Sequence, residues 1–171
     1  TNLYRIEGNL EDAIRISTEG LDFARQEKNM TWEGQFLTNM GLCLLEMGKD
    51  DEGFERFRMA EEVFDNDIAK NESINSMKEL VSTLYYLMHS KSLRYNDTEA
   101  LRAGLKYEQT VLKIMDTHLV DTGYADIHFS QVFPIIAFTY ERLGNHKDAE
   151  KYFKTFGSLK GFEDVTKNIF N

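Results

Sequence analysis

The sequence predicts an all-α fold made of antiparallel helical hairpins stacked on one another. Three observations predict it. Proline occurs once in 171 residues, at Pro134, and glycine 11 times, so helix breakers are scarce. Apolar residues recur at intervals of three and four, which is the helix period. One unit also returns along the chain: helix, tight turn, helix. Its turns fall at Gly8, Gly48, Tyr95 and Gly144, spaced by 40, 47 and 49 residues.

The elements follow in order. Half a hairpin opens the chain, with Gly8 at the turn and Leu10, Ala13, Ile14 and Leu21 facing inward. Little sequence precedes that turn and the chain begins at Thr1 rather than Met, which predicts a C-terminal part of a longer protein. In the second hairpin, Phe36, Leu37, Met40, Gly41 and Leu44 form one stripe, and Gly53, Phe54, Phe57, Ala60 and Phe64 form its partner. Gly48 ends the first of these helices, as a residue tolerant of the left-handed conformation does. The small residues Gly41, Gly53 and Ala60 predict a close approach of the two helices. Trp32, after the link Asn29-Met30-Thr31, is expected to pack between repeats, with an interface anchor as the alternative.

The third hairpin is degenerate. Leu80, Leu84, Leu87 and Met88 face Ala100, Leu101, Tyr107 and Leu112, and Arg94-Tyr95-Asn96-Asp97 replaces the glycine turn, with Asp97 as the expected N-cap. The fourth is clear: Phe133, Ile136, Ala137, Tyr140 and Leu143, then Gly144, then Ala149, Tyr152, Phe153 and Phe156. Pro134 predicts a kink in its first helix or a restart after Ser130. A partial or capping helix is expected near 160–170. Residues 1–171 therefore read as one solenoid of about three and a half hairpins, with no internal linker.

Composition narrows the function. No stretch approaches the roughly 18 apolar residues of a membrane span, and no apolar run near the N-terminus resembles a signal peptide. The single cysteine, Cys43, rules out an internal disulfide and fits a cytoplasmic compartment. A net charge of -9 disfavours nucleic acid and favours a basic peptide or partner. No phosphate-binding glycine loop, metalloprotease helix or nucleophile elbow occurs, and the four histidines lack metal-ligand spacing. No enzyme activity, catalytic residue, metal or cofactor is expected.

The small and large positions Leu37, Met40, Gly41, Leu44, Gly48, Gly53, Phe57 and Ala60, and again Phe133, Ile136, Ala137, Tyr140, Gly144, Ala149 and Phe153, resemble those of the tetratricopeptide repeat. The resemblance implies a right-handed superhelix of antiparallel hairpins. The turn spacings exceed the repeat length of about 34 residues. The stretch from Arg25 to Phe36, continuing through Asn39-Met40-Gly41-Leu42-Cys43-Leu44, resembles the repeats of bacterial peptide-pheromone receptors, the family of Rap, NprR, PlcR, PrgX and Rgg proteins. That resemblance implies a sensor region that binds a short signalling peptide and controls an attached output domain. It also implies a possible homodimer, with DNA reached only through a domain outside this chain.

The first helix of each pair lines the concave face of such a solenoid. Asn and Gln side chains there satisfy both donors and acceptors of an extended peptide. The candidates are Gln35 and Asn39 in the second hairpin, Tyr85 and His89 in the third, and Gln131, Phe138 and Arg142 in the fourth. Ser82 and Ser92 share the face of Tyr85 and His89, and Glu141 that of Arg142. Arg142 suits a peptide carboxylate, or else a helix C-terminus that favours a cation. The bland alternatives are a solvated polar face for Gln35 and Asn39, core for Tyr85 or Tyr86, and a surface histidine for His89. The run Asp50-Asp51-Glu52 with Glu55, Glu61 and Glu62 is expected to be a solvated face. The function expected is peptide sensing, or alternatively a general protein-protein scaffold or adaptor that holds a protein tail.

Overall fold

The computed structural model describes residues 8–118 and 122–159. Among these it contains seven α-helices and no strand: α1 Leu10–Gln26, α2 Met30–Glu46, α3 Asp50–Asn71, α4 Ile74–Leu93, α5 Asp97–His118, α6 Thr122–Arg142 and α7 His146–Ser158. The fold is all-helical, as expected. The helices gather into two compact units, Thr1–Thr83 and Leu84–Asn171, so that α4 contributes its first half to one and its second half to the other. In the first unit α1 packs on α2 and α2 on α3; in the second, α5 packs on α6 and α6 on α7. The expected helix near 160–170, and whatever feeds the Gly8 turn, lie outside the described residues.

The turns share one local device. Gly8, Gly48 and Gly144 have φ of 78°, 75° and 75°, and Tyr95 takes the same left-handed conformation at 57°. Gly48, Tyr95 and Gly144 therefore sit at turns between described helices, as expected, and Gly8 has the same conformation just before α1. At Gly48 the amide donates to the Leu45 carbonyl and the Lys49 amide to that of Leu44. This pair of bonds satisfies carbonyls that the helix end leaves open. The same two bonds recur at Tyr95, from Tyr95 to Ser92 and from Asn96 to Lys91, and at Gly144, to Glu141 and from Asn145 to Tyr140. A fourth copy of the bond pair links α1 to α2 through Lys28, at φ 55°.

After Gly8, Lys28, Tyr95 and Gly144 the next residue is an asparagine that caps the following helix, whereas Lys49, after Gly48, makes no side-chain cap. Asn9, Asn29, Asn96 and Asn145 each accept a backbone N–H three residues on, from Asp12, Trp32, Glu99 and Asp148. The N-cap of α5 is thus Asn96, not Asp97, because its amide oxygen reaches the third amide of the helix. Asp97 stands at the first helical position, with its carboxylate turned to another partner described below.

In the first unit, α2 and α3 meet at glycine. A Cβ on Gly41 would lie 3.0 Å from the Gly53 carbonyl oxygen and 3.3 Å from the Phe57 ring; one on Gly53 would lie 3.0 Å from the Gly41 oxygen. The two backbones touch where the sequence predicts a close approach. Phe57, Ala60 and Phe64 complete this core. Glu61 is buried beside them rather than solvated with its acidic neighbours. Thr38 of α2 bonds Thr83 of α4 at 2.8 Å, and Thr31 bonds Ser76 at 2.9 Å. Both pairs are separated by 45 residues, so α2 and α4 lie alongside with parallel register.

In the second unit, the buried stripe of α5 is Ala100, Ala103, Tyr107, Val111 and Ile114. Leu112 was expected in it but is 48% exposed, because the period carries position 111, not 112, to the core. Helix α6 runs unbroken through Pro134, so there is no restart after Ser130. Tyr152 of α7 donates to Glu108 of α5 at 2.6 Å, and Phe133 meets Tyr152 edge-on with ring centres 5.1 Å apart. Leu143 and Phe153, expected to be inward-facing, are exposed: Leu143 lies in the turn just past the end of α6, and Phe153 lies past the edge of the Ala149–Tyr152 stripe.

Candidate functional site

The N-terminal ends of α2 and α4 are fixed by one buried carboxylate. Asp67, in the last turns of α3, is 6% exposed. Its Oδ2 accepts from Ser76 at 2.5 Å and Thr31 at 3.4 Å, and its Oδ1 accepts from Asn71 at 2.6 Å. Burial disfavours the charged form. The hydrogen bonds from Ser76, Asn71, Ser73 and Thr31 outweigh that and hold the carboxyl below the usual range. Thr31 belongs to the first turn of α2 and Ser76 to that of α4, so the carboxylate also faces the positive ends of two helix dipoles. Asp67 thus holds the two helices at a set separation.

Between those ends lies a cleft of about 270 Å³. Asn29, Thr31, Trp32 and Gln35 line it from α2; Asn75, Lys78 and Glu79 line it from α4. Asn29 and Thr31 are already engaged, by the α2 cap and the Asp67 network. The side chains of Gln35, Asn75, Lys78 and Glu79 make no hydrogen bond or ion pair with other described residues. Two amides, a cation and a carboxylate therefore stand open on facing helices. Trp32 is 46% exposed and stacks on Phe23, with ring centres 6.3 Å apart and planes 27° from parallel. It was expected to pack between repeats; instead it presents an indole face at the cleft edge. Arg25 and Glu33 pair at 2.8 Å beside it.

The expected site residues fall into local groups. Gln35 lines the cleft. Asn39 lies one turn further along α2, half-buried and beyond the lining. In the second unit Tyr85 is half-buried and stacks on exposed His89 at 6.1 Å, with Tyr86 edge-on to it at 5.8 Å. Gln131 is exposed on α6. Phe138, also exposed, meets Phe153 edge-on at 5.1 Å. Arg142 is engaged within the chain: its Nε and Nη2 donate to Asp97 at 2.9 and 2.5 Å, and Nη2 also to Ser92 at 2.8 Å. The Asp97 hydrogen bonds raise its pKa. Arg142 clasps the turn before α5 rather than standing free for a ligand carboxylate.

Asn75, Lys78 and Glu79 were not singled out from the sequence. Lys78 lies four residues before Ser82, on the same helical face as Ser82, Tyr85 and His89, so extending that face by one turn finds it. A further polar group lies in the second unit. The Tyr107 hydroxyl is 2.6 Å from His128 Nδ1, and the Tyr124 ring centre is 4.3 Å from that of His128. Burial lowers the His128 pKa and raises that of Tyr107. Among the described residues, no three His, Cys, Asp or Glu side chains gather as a metal site, and no helix is long and apolar enough to cross a membrane. No family model, curated protein or solved structure matches this chain.

Proposed function

We propose that the chain is a peptide-recognition module, and that it holds an extended segment of another molecule in the cleft between α2 and α4. One observation carries this reading. Gln35 and Asn75, on the first helices of successive hairpins, both face the cleft with their amides unpartnered. A primary amide offers a donor and an acceptor together, which is what a peptide bond requires in return. Trp32 supplies an apolar face for a ligand side chain, and Lys78 and Glu79 offer one charge of each sign. The Asp67 network holds both walls, so little ordering is left to occur on binding.

The finer reading is a sensor region of a bacterial cytoplasmic regulator, in which a short signalling peptide biases an output domain outside this chain. The repeated turn device and the 45-residue register of α2 with α4 support a stack of tetratricopeptide-like hairpins. Calorimetric titration with short peptides encoded beside the gene tests the proposal. Saturable binding that weakens about tenfold, or about 1.4 kcal/mol, in Gln35→Ala and Asn75→Ala is expected. Binding that both variants leave unchanged places the ligand elsewhere.

A further inference from the structure

The cleft between α2 and α4 lies in the unit that carries the charge of the chain. Residues 1–83 hold 9 Lys and Arg against 18 Asp and Glu, a net charge of -9, while residues 84–171 hold 11 of each. The whole acidic excess of the sequence therefore belongs to the unit with the cleft. A field of that sign concentrates cations at the surface and repels anions. Within the cleft the carboxylates are unequally engaged. Asp67 is held by Ser76, Asn71 and Thr31, and Glu33 by Arg25. Glu79 lines the cleft half-buried, and its carboxylate has no partner among the described residues. Partial burial weakens its hydration, so a cation brought to it gains more than one brought to an exposed carboxylate. Trp32 lines the same cleft, and the face of an indole also attracts a cation.

Building on the peptide-recognition reading, we propose that the ligand is a basic peptide, one of whose arginine or lysine side chains enters between the Trp32 indole and the Glu79 carboxylate. The acidic first unit draws it in, and the open carboxylate fixes where its charge comes to rest. The size of the cleft fits a single side chain. Its volume of about 270 Å³ is below the roughly 300–1,000 Å³ of pockets for drug-sized molecules, so it seats one residue with its flanking peptide groups. Those groups meet the open amides of Gln35 and Asn75. Lys78, the cation of the lining, is exposed on a flexible stem and donates to a peptide carbonyl from the solvent side. Its charge lies on the residue next to Glu79, so the two side chains leave α4 in different directions.

Two capped pentapeptides test this on the whole chain: acetyl-Ala-Ala-Arg-Ala-Ala-amide, and the same peptide with citrulline, a neutral isostere, in place of arginine. Calorimetric titration at low salt should show saturable binding of the arginine peptide, about tenfold tighter than the citrulline peptide, and the difference should shrink as salt rises. In Glu79→Gln, with the helical circular dichroism unchanged, most of that preference should be lost. Equal affinities of the wild type for the two peptides overturn the basic ligand. A preference that survives in Glu79→Gln overturns the assigned site, since the cation then rests on the acidic surface at large. Gln35→Ala separates these failures from failure of the peptide reading itself. It should weaken both peptides; if it weakens neither, recognition in this cleft fails too. Saturable binding of neither peptide overturns both.

Discussion

Replacing Gly41 by Ala tests the packing argument, because two effects oppose each other there. Inside an α-helix, Ala is favoured over Gly by about 0.5–1 kcal/mol. Against this, the new methyl would lie 3.0 Å from the Gly53 carbonyl oxygen and 3.3 Å from Phe57. Neither neighbour can yield cheaply. The oxygen belongs to the α3 backbone, and Phe57 is 0% exposed within the core. The methyl therefore forces α2 and α3 apart, an overpacking cost of about 2–3 kcal/mol. The net expectation is a loss of about 1–2 kcal/mol, or roughly 2–8 °C in Tm for a chain of this length. Gly53→Ala should cost about as much, since its methyl meets the Gly41 oxygen at 3.0 Å. The double variant should cost less than the two together, because one separation of the helices relieves both contacts. Gly157→Ala is the control: no atom lies within 4 Å of its Cβ, so the same change should be neutral or stabilising. Thermal unfolding followed by circular dichroism reads all four. A Gly41→Ala protein as stable as Gly157→Ala would refute the close approach of α2 and α3.

Asp67→Asn should cost about 1–3 kcal/mol, since it removes charge-assisted hydrogen bonds from a buried group. The wild-type contribution is present above the unfolded carboxyl pKa of about 3.9 and lost as pH falls through the lower folded value; urea unfolding against pH should show an acid-side loss that the variant lacks. Lys28→Gly should stabilise by up to about 1 kcal/mol, because it relieves a left-handed conformation at φ 55°, and a Tm that falls would contradict this. His128→Gln should remove a pH dependence. The lowered folded pKa of His128 means that its stability is present above about pH 6.5 and falls as pH drops below that value, so the wild type should lose more stability than the variant between pH 6.5 and 5.

Much of the fold was legible because turns and periods are local. Gly48 and Gly144 mark reversals by their conformational freedom, and the Gly41–Gly53 contact follows from small residues on facing stripes. Tyr95 was placed at its turn by the repeat rather than by its chemistry. Lys28 escaped notice because its left-handed conformation is imposed by the bonds of the helix end, not by its side chain. The miss at Leu112 has the opposite cause: a residue one step off the stripe is still apolar, and only packing separates 111 from 112. The site was legible in part. Gln35 was identified by residue type and helical face, but Arg142 met an internal carboxylate from a turn 45 residues earlier. The Asp67 network joins three helices through Thr31, Ser76 and Asn71. Nothing in their spacing announces that convergence.

Trp32 is the one tryptophan in the sequence, and it borders the cleft, so its fluorescence reports on that site without a label. The central claim is tested most directly by titrating the chain with a ligand peptide while following this emission. The account predicts a saturable shift whose midpoint moves to higher peptide concentration in Lys78→Ala and Asn75→Ala, with the helical circular dichroism unchanged. A peptide that binds by calorimetry yet leaves Trp32 emission unaltered would contradict it.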